Sequence, residues 1–87
     1  MIRINGPAIE YGTGKKEWWV NGKRHRENAP AVEDDDGYRV WYLNDKKHRI
    51  DGHAVERSNG NNEWWLDGIQ YTEEEYKEKV KEYVRNR

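Results

Sequence analysis

Apolar residues recur along this chain in short bursts of alternating character, separated by polar, glycine-containing stretches. The bursts keep one register. Trp18, Trp41 and Trp64 stand 23 residues apart (41 − 18 and 64 − 41). Ala8, Ala31 and Ala54 share that spacing, as do Ile9, Val32 and Val55, and Glu10, Glu33 and Glu56. The aromatic after each Trp also recurs, as Trp19, Tyr42 and Trp65, followed by Val20, Leu43 and Leu66. Self-similarity at a fixed period of this length marks a repeat architecture.

Each unit reads as a β-hairpin. The first strand covers residues 8–11, 31–34 and 54–57, and the second covers 17–21, 40–44 and 63–67. The tips Gly12-Thr13-Gly14, Asp35-Asp36-Gly37 and Asn59-Gly60-Asn61 carry residues that tolerate positive φ, as hairpin turns require. Asn21-Gly22 and Asp67-Gly68 mark the turn that follows. The predicted fold is mainly β: an antiparallel meander of three 23-residue hairpin units, about six strands, spanning roughly 5–27, 28–50 and 51–71.

The last segment changes period. Tyr76, Val80, Tyr83 and Val84 fall on one helical face. Thr72 and Glu75 have the spacing of a capping box. Acidic residues open the segment, and Arg85 and Arg87 close it, matching the helix dipole. An amphipathic helix over 72–87 is therefore expected to cap the array and complete one domain.

Strand alternation then sorts the rings. Trp18, Trp41 and Trp64 share a face with Val20, Leu43 and Leu66, which predicts a core covered by the helix. Trp19, Tyr42 and Trp65 point the other way and form a candidate binding surface. The competing reading is architectural, with these rings packed over Ala8, Ala31 and Ala54. Left open, the aromatic face would favour self-association, with a two-fold homodimer as the expected form.

Composition changes this picture only in part. Hydrophobic residues make up 33% of the 87 and charged residues 38%, so the five Trp and six Tyr must supply much of the buried area. There is no cysteine and hence no disulfide or thiolate metal site, which fits a cytoplasmic setting. No stretch is apolar enough to span a membrane. Net charge is −1 and the pI about 6.3, which argues against a nucleic-acid polymer as ligand.

Two basic clusters recur: Lys23-Arg24-His25-Arg26 and Lys46-Lys47-His48-Arg49. Arg24, His25, Arg26, Lys47, His48 and Arg49 are candidate ligands for an anion such as a small nucleotide phosphate. Architecture again competes: each Arg would pair with the Glu of a neighbouring unit, and each His would lock an inter-repeat turn. No nucleophile, metal-ligand spacing or phosphate loop stands out, so neither catalysis, nor a metal, nor a cofactor is expected.

The segments Trp18-Trp19-Val20-Asn21-Gly22-Lys23-Arg24-His25-Arg26 and Trp41-Tyr42-Leu43-Asn44-Asp45-Lys46-Lys47-His48-Arg49 resemble the MORN repeat and its variants. Gly6-Pro7-Ala8, Ala29-Pro30-Ala31 and Gly52-His53-Ala54 supply the tail of that motif. The likeness covers roughly residues 5–71. The chain departs from the motif at Ala29, Asp45, His53 and Tyr71-Thr72. Short proteins of this kind resemble accessory proteins of tailed bacteriophages. The resemblance implies a non-enzymatic binding protein that docks on a bacterial host or antiviral-defence protein in the host cytoplasm. Sequestration of a small anionic nucleotide, or a scaffold or lipid-binding role, are the alternatives it leaves open.

Overall fold

The computed structural model describes residues 9–85. It is mainly β, with antiparallel sheets and one C-terminal helix packed against strands. The strands are β1 Ile9–Glu10, β2 Lys16–Glu17, β3 Trp19–Val20, β4 Lys23–Arg24, β5 Val32–Glu33, β6 Arg39–Val40, β7 Tyr42–Leu43, β8 Lys46–Lys47, β9 Val55–Glu56, β10 Trp64–Leu66 and β11 Ile69–Tyr71, and the helix is α1 Glu73–Arg85. The start of the first unit, with Gly6, Pro7 and Ala8, lies outside the described residues, as does Arg87.

The strand count is the first difference from expectation: eleven short strands rather than about six. The reason is local. Asn21 and Gly22 both take positive φ (52° and 78°), as do Asn44 and Asp45 (50° and 69°) and Asp67 and Gly68 (49° and 81°). Two successive positive φ values build the two-residue turn that reverses a strand on itself. Each of these turns therefore closes a second hairpin, pairing β3 with β4, β7 with β8 and β10 with β11. The first hairpins join into one sheet in the order β1-β2-β5-β6-β9.

The predicted second strand is also interrupted. Trp18 donates its N–H to the Ala31 carbonyl and Trp41 to that of Ala54 (2.8 Å each). The residue after each Trp already pairs within the second hairpin. The second hairpins are tied to one another as well. The carbonyls of Arg24 and Lys47 accept N–H bonds from Asp45 and Gly68 (2.8 and 2.9 Å).

This change of partner creates the core. Register puts Glu17, Val32, Val40 and Val55 in one cross-strand row, with Glu63 bridging to Val55. The adjoining row, Lys16, Glu33, Arg39 and Glu56, alternates in charge and faces the other way. Val32, Val40 and Val55 form the buried cluster, and Tyr38, Tyr42 and Trp65 pack against it. Two of the rings assigned from sequence to an uncovered face, Tyr42 and Trp65, thus pack against the valine cluster, and Trp19, Tyr42 and Trp65 are all half-buried. The face of Trp18, Trp41 and Trp64 forms a second apolar layer, which α1 covers only in part. Tyr76 stacks on Trp64 at 4.6 Å and Tyr83 on His48 at 5.1 Å, while Trp41 stays half-buried.

The middle unit differs from its neighbours in a coupled way. Buried Glu17 accepts the indole N–H of Trp19 (2.9 Å), and Glu63 accepts that of Trp65 (2.8 Å). The equivalent pair in the middle is Val40 and Tyr42. Glutamate stands in this row only where an indole N–H two residues on can bond it, Glu17 buried and Glu63 half-buried, because an unpaired carboxylate there is costly.

The α1 N-terminus has its capping box. Thr72 N–H donates to Glu75 Oε1 (3.0 Å) and Glu75 N–H donates to Thr72 Oγ1 (3.2 Å). The Tyr76 hydroxyl donates to the Arg49 carbonyl, fastening the helix to the sheet. No helix among the described residues is long and apolar enough to cross a membrane.

The coupled exchange is testable by a double-mutant cycle. Val40→Glu alone should cost about 3 kcal/mol in urea unfolding, since it buries a carboxylate without an indole partner. Adding Tyr42→Trp should return about 1 kcal/mol or more of that loss as coupling energy.

Candidate binding surface

In the first two units the second hairpin places a ring and a cation side by side. Trp19 pairs with Arg24 and Tyr42 with Lys47, while in the last unit Trp65 pairs with Gln70. The Arg24 guanidinium lies 5.0 Å from the Trp19 ring and 5.6 Å from that of Tyr42. The Lys47 ammonium lies 4.6 Å from the Trp65 ring. The result is an alternating ladder of Trp19, Arg24, Tyr42, Lys47 and Trp65, in which each cation–π contact is worth about 1 kcal/mol. Tyr42 and Trp65 pack on the valine cluster, and the cations stack on the rings.

The cations of this ladder are not ion-paired, with Asp45 and Asp67 as the carboxylates of the same hollow. Among the described residues, Arg24, Lys46 and Lys47 form no ion pair with a carboxylate. The Arg24 Nε is buried without a hydrogen-bond partner. A hollow of about 550 Å³ opens here, lined by Arg24, Tyr42, Lys46, Lys47, Trp65 and Asp67, among others. Burial raises the Tyr42 phenol above its usual value, against the opposing pull of Arg24, so it stays neutral near pH 7.

The remaining candidates are engaged elsewhere. Arg26 stacks on Trp18 and Arg49 on Trp41, each at 3.8 Å. Arg26 donates to the Pro30 carbonyl and to Glu33 (3.2 Å each), and Arg49 to the His53 carbonyl and Glu56 (2.9 and 3.1 Å). His25 Nδ1 accepts the Asn44 N–H and His48 Nδ1 the Asp67 N–H, both at 3.0 Å. These four side chains link consecutive units through the same bonds, one repeat apart. They do not converge with Arg24 and Lys47 into a single basic edge. The reason is competition: each Arg meets a Glu and a Trp of its own fold, and each His meets a turn amide that needs an acceptor.

The candidates read from sequence leave out Lys46, which joins the hollow, and the indole acceptors Glu17, buried, and Glu63, half-buried. Lys46 repeats Lys23 by position, and the exchange of Glu for Val40 beside the exchange of Trp for Tyr42 was visible as paired variation. Glu63 is pushed up by burial, but the Trp65 N–H and the Arg57 guanidinium outweigh this and hold its carboxyl below the usual range. Among the described residues no group of three or more His, Asp or Glu could hold a metal ion.

Fold and surface together define a small β-hairpin repeat protein with a capping helix and a cation–aromatic ladder. No family model, curated protein or solved structure matches the chain.

The fastening residues predict two outcomes. Arg49→Ala should lower stability by about 2 kcal/mol, read as a lower urea midpoint, because it leaves Glu56 only its longer contact with Arg39 and uncovers Trp41. Burial holds the His48 imidazole below its ordinary value of 6.5, with Asp67 opposing the shift. Between the folded value and 6.5 the unfolded chain binds more protons than the folded one. Stability should therefore fall as pH drops below 6.5 and level off beneath the folded value. His48→Asn, whose side-chain oxygen can still accept the Asp67 N–H, should flatten this part of the pH profile in thermal melts.

Proposed function

We propose that this protein is a non-enzymatic binding module that docks on a partner protein through the Trp19–Arg24–Tyr42–Lys47–Trp65 ladder. One observation carries the reading: the row presents aromatic rings beside cations that form no ion pair with a carboxylate of the described chain. Aromatic residues and arginine are enriched where protein interfaces hold most of their binding energy. Tyr42 and Trp65 are already held by packing on valines and Trp19 by its bond to Glu17, so little side-chain freedom is lost on docking. Unpaired cations favour an acidic partner surface and speed its encounter. The resemblance to phage accessory repeats adds the setting: inhibition of a host or antiviral-defence protein in the bacterial cytoplasm.

A second reading rests on the hollow between Tyr42 and Trp65. Three unpaired cations and two rings suit a small anionic nucleotide. The same variant serves both readings. Lys46→Glu with Lys47→Glu should leave the circular dichroism spectrum unchanged. It should weaken capture of the partner from bacterial lysate about tenfold or more. Capture undiminished by this charge reversal in a folded protein would sink the docking reading. Mass spectrometry of small molecules released from the purified wild-type protein distinguishes the nucleotide reading, which requires a co-purifying phosphate compound.

A further inference from the structure

Each second hairpin presents an edge that the next unit closes. In the first, Val20 pairs with Lys23 across the turn, and the His25 N–H bonds the Trp18 carbonyl at 3.0 Å. The pair between them, Trp19 and Arg24, therefore exchanges no backbone bonds, and the Arg24 N–H and carbonyl point out of the hairpin. Asp45 takes both: its Oδ1 accepts the Arg24 N–H at 2.9 Å, and its N–H donates to the Arg24 carbonyl at 2.8 Å. One repeat on, the Lys47 carbonyl accepts the Gly68 N–H at 2.9 Å. Arg26 and Arg49 add N–H bonds to the carbonyls of Tyr42 and Trp65, both at 3.2 Å. The second hairpins thus form one bonded row from β3 to β11.

No unit follows β11. Leu66 pairs with Ile69 and Trp64 with Tyr71, so Gln70 holds the outward position that Arg24 and Lys47 hold earlier. The Gln70 N–H and carbonyl meet no hydrogen-bond partner among the described residues. Gln70 is exposed, and Ile69 beside it is 57% exposed. The helix leaves this edge open. Thr72 turns into the capping box, and then Tyr76 reaches Trp64 and Tyr83 reaches His48 of the middle unit. The helix therefore runs back over the array, away from β11.

The residues on this edge select its occupant. Open edges usually carry charge or proline, which keeps other strands away. Ile69, Gln70 and Tyr71 carry neither. The earlier hairpins have a cation at the outward position, and only the last has a neutral residue there. A two-fold axis sets that residue opposite its own copy, where a cation would meet itself. Gln70 can instead lie against Gln70 of a second copy, each N–H donating to the other carbonyl. The same axis sets Ile69 of each chain opposite Tyr71 of the other. Ile69 and Tyr71 share the face of Trp64 and buried Leu66, so the contact extends an apolar layer that already exists.

We propose that β11 is the seat of a two-fold homodimer, in which the β11 strands of two copies pair antiparallel about Gln70. The contact is closed, so assembly stops at two chains. The cation–aromatic ladder takes no part in it, and assembly is read without any docking partner, so the outcome is independent of the docking reading.

Sedimentation velocity of the full chain should show a reversible monomer–dimer equilibrium with a midpoint at roughly 50 µM and no larger species. Hydrogen exchange of the Gln70 amide should slow about tenfold or more between dilute and concentrated samples. This measurement needs no variant. Gln70→Lys, which copies Lys47 of the middle unit, should keep the circular dichroism spectrum and weaken the dimer about tenfold or more through like charge on the axis. Gln70→Glu should do the same. An equal mixture of the two variants should recover dimers, because the axis sets residue 70 against itself. The proposal is overturned if the chain stays monomeric up to about 1 mM, or if it grows past the dimer. It is overturned equally if the Gln70 amide exchanges at one rate at every concentration, if folded Gln70→Lys dimerises as well as the wild type, or if the mixture assembles no better than either variant alone.

Discussion

Everything in this small protein depends on covering three valines. Val32, Val40 and Val55 sit in one cross-strand row of a sheet whose strands are only two residues long. Such strands leave few ladder bonds and little apolar surface per residue. The sheet is stable only because the chain returns over it with rings of its own. Tyr42 and Trp65 come from the second hairpins, so the fold cannot be split into an independent sheet and an independent row of hairpins. The tight turns at Asn21-Gly22, Asn44-Asp45 and Asp67-Gly68 exist to bring that second layer back.

Polar groups solve the problems this layering creates. At the flanks of the valine row, the indole N–H of Trp19 and Trp65 needs an acceptor in a partly dry setting, and Glu17 and Glu63 provide it. Between units, Arg26 and Arg49 each join a ring, a carbonyl and a carboxylate, and His25 and His48 receive the amides of the left-handed turn residues. These bonds recur because each unit meets its neighbour in the same way. They also explain why the basic clusters separate: the residues best suited to bind an anion by type are those the repeat already employs. What remains for binding is what the fastenings leave over, the cations stacked on the ladder.

Much of this was legible in the residue pattern. The 23-residue phase, the hairpin tips, the capping box at Thr72 and Glu75 and the aromatic face of the helix all follow from local chemistry, and the structure holds each of them. The pairing of Arg26 with Glu33 and of Arg49 with Glu56 was legible as an alternative to an anion site. The second hairpin of each unit was not recognised, although its turn residues were. The segment that follows Asn21-Gly22, Lys23 and Arg24, carries no apolar alternation to mark it as a strand, so the pattern reads that turn as a connection between units.

By itself, then, the order of residues determined the repeat, its turns, its cap and the identities of the rings and charges available. The tertiary structure decided which ring covers which layer and which cation stays unpaired. Alternation assigns sides only within an unbroken strand, and at Trp18 and Trp41 the chain exchanges one set of partners for another. Beyond that point, side is set by the fold of one hairpin over a neighbouring sheet, a long-range relation that no local period encodes. For the same reason Arg24 and Arg26, two residues apart, end on different tryptophans, one unpaired on the ladder and the other locked between units.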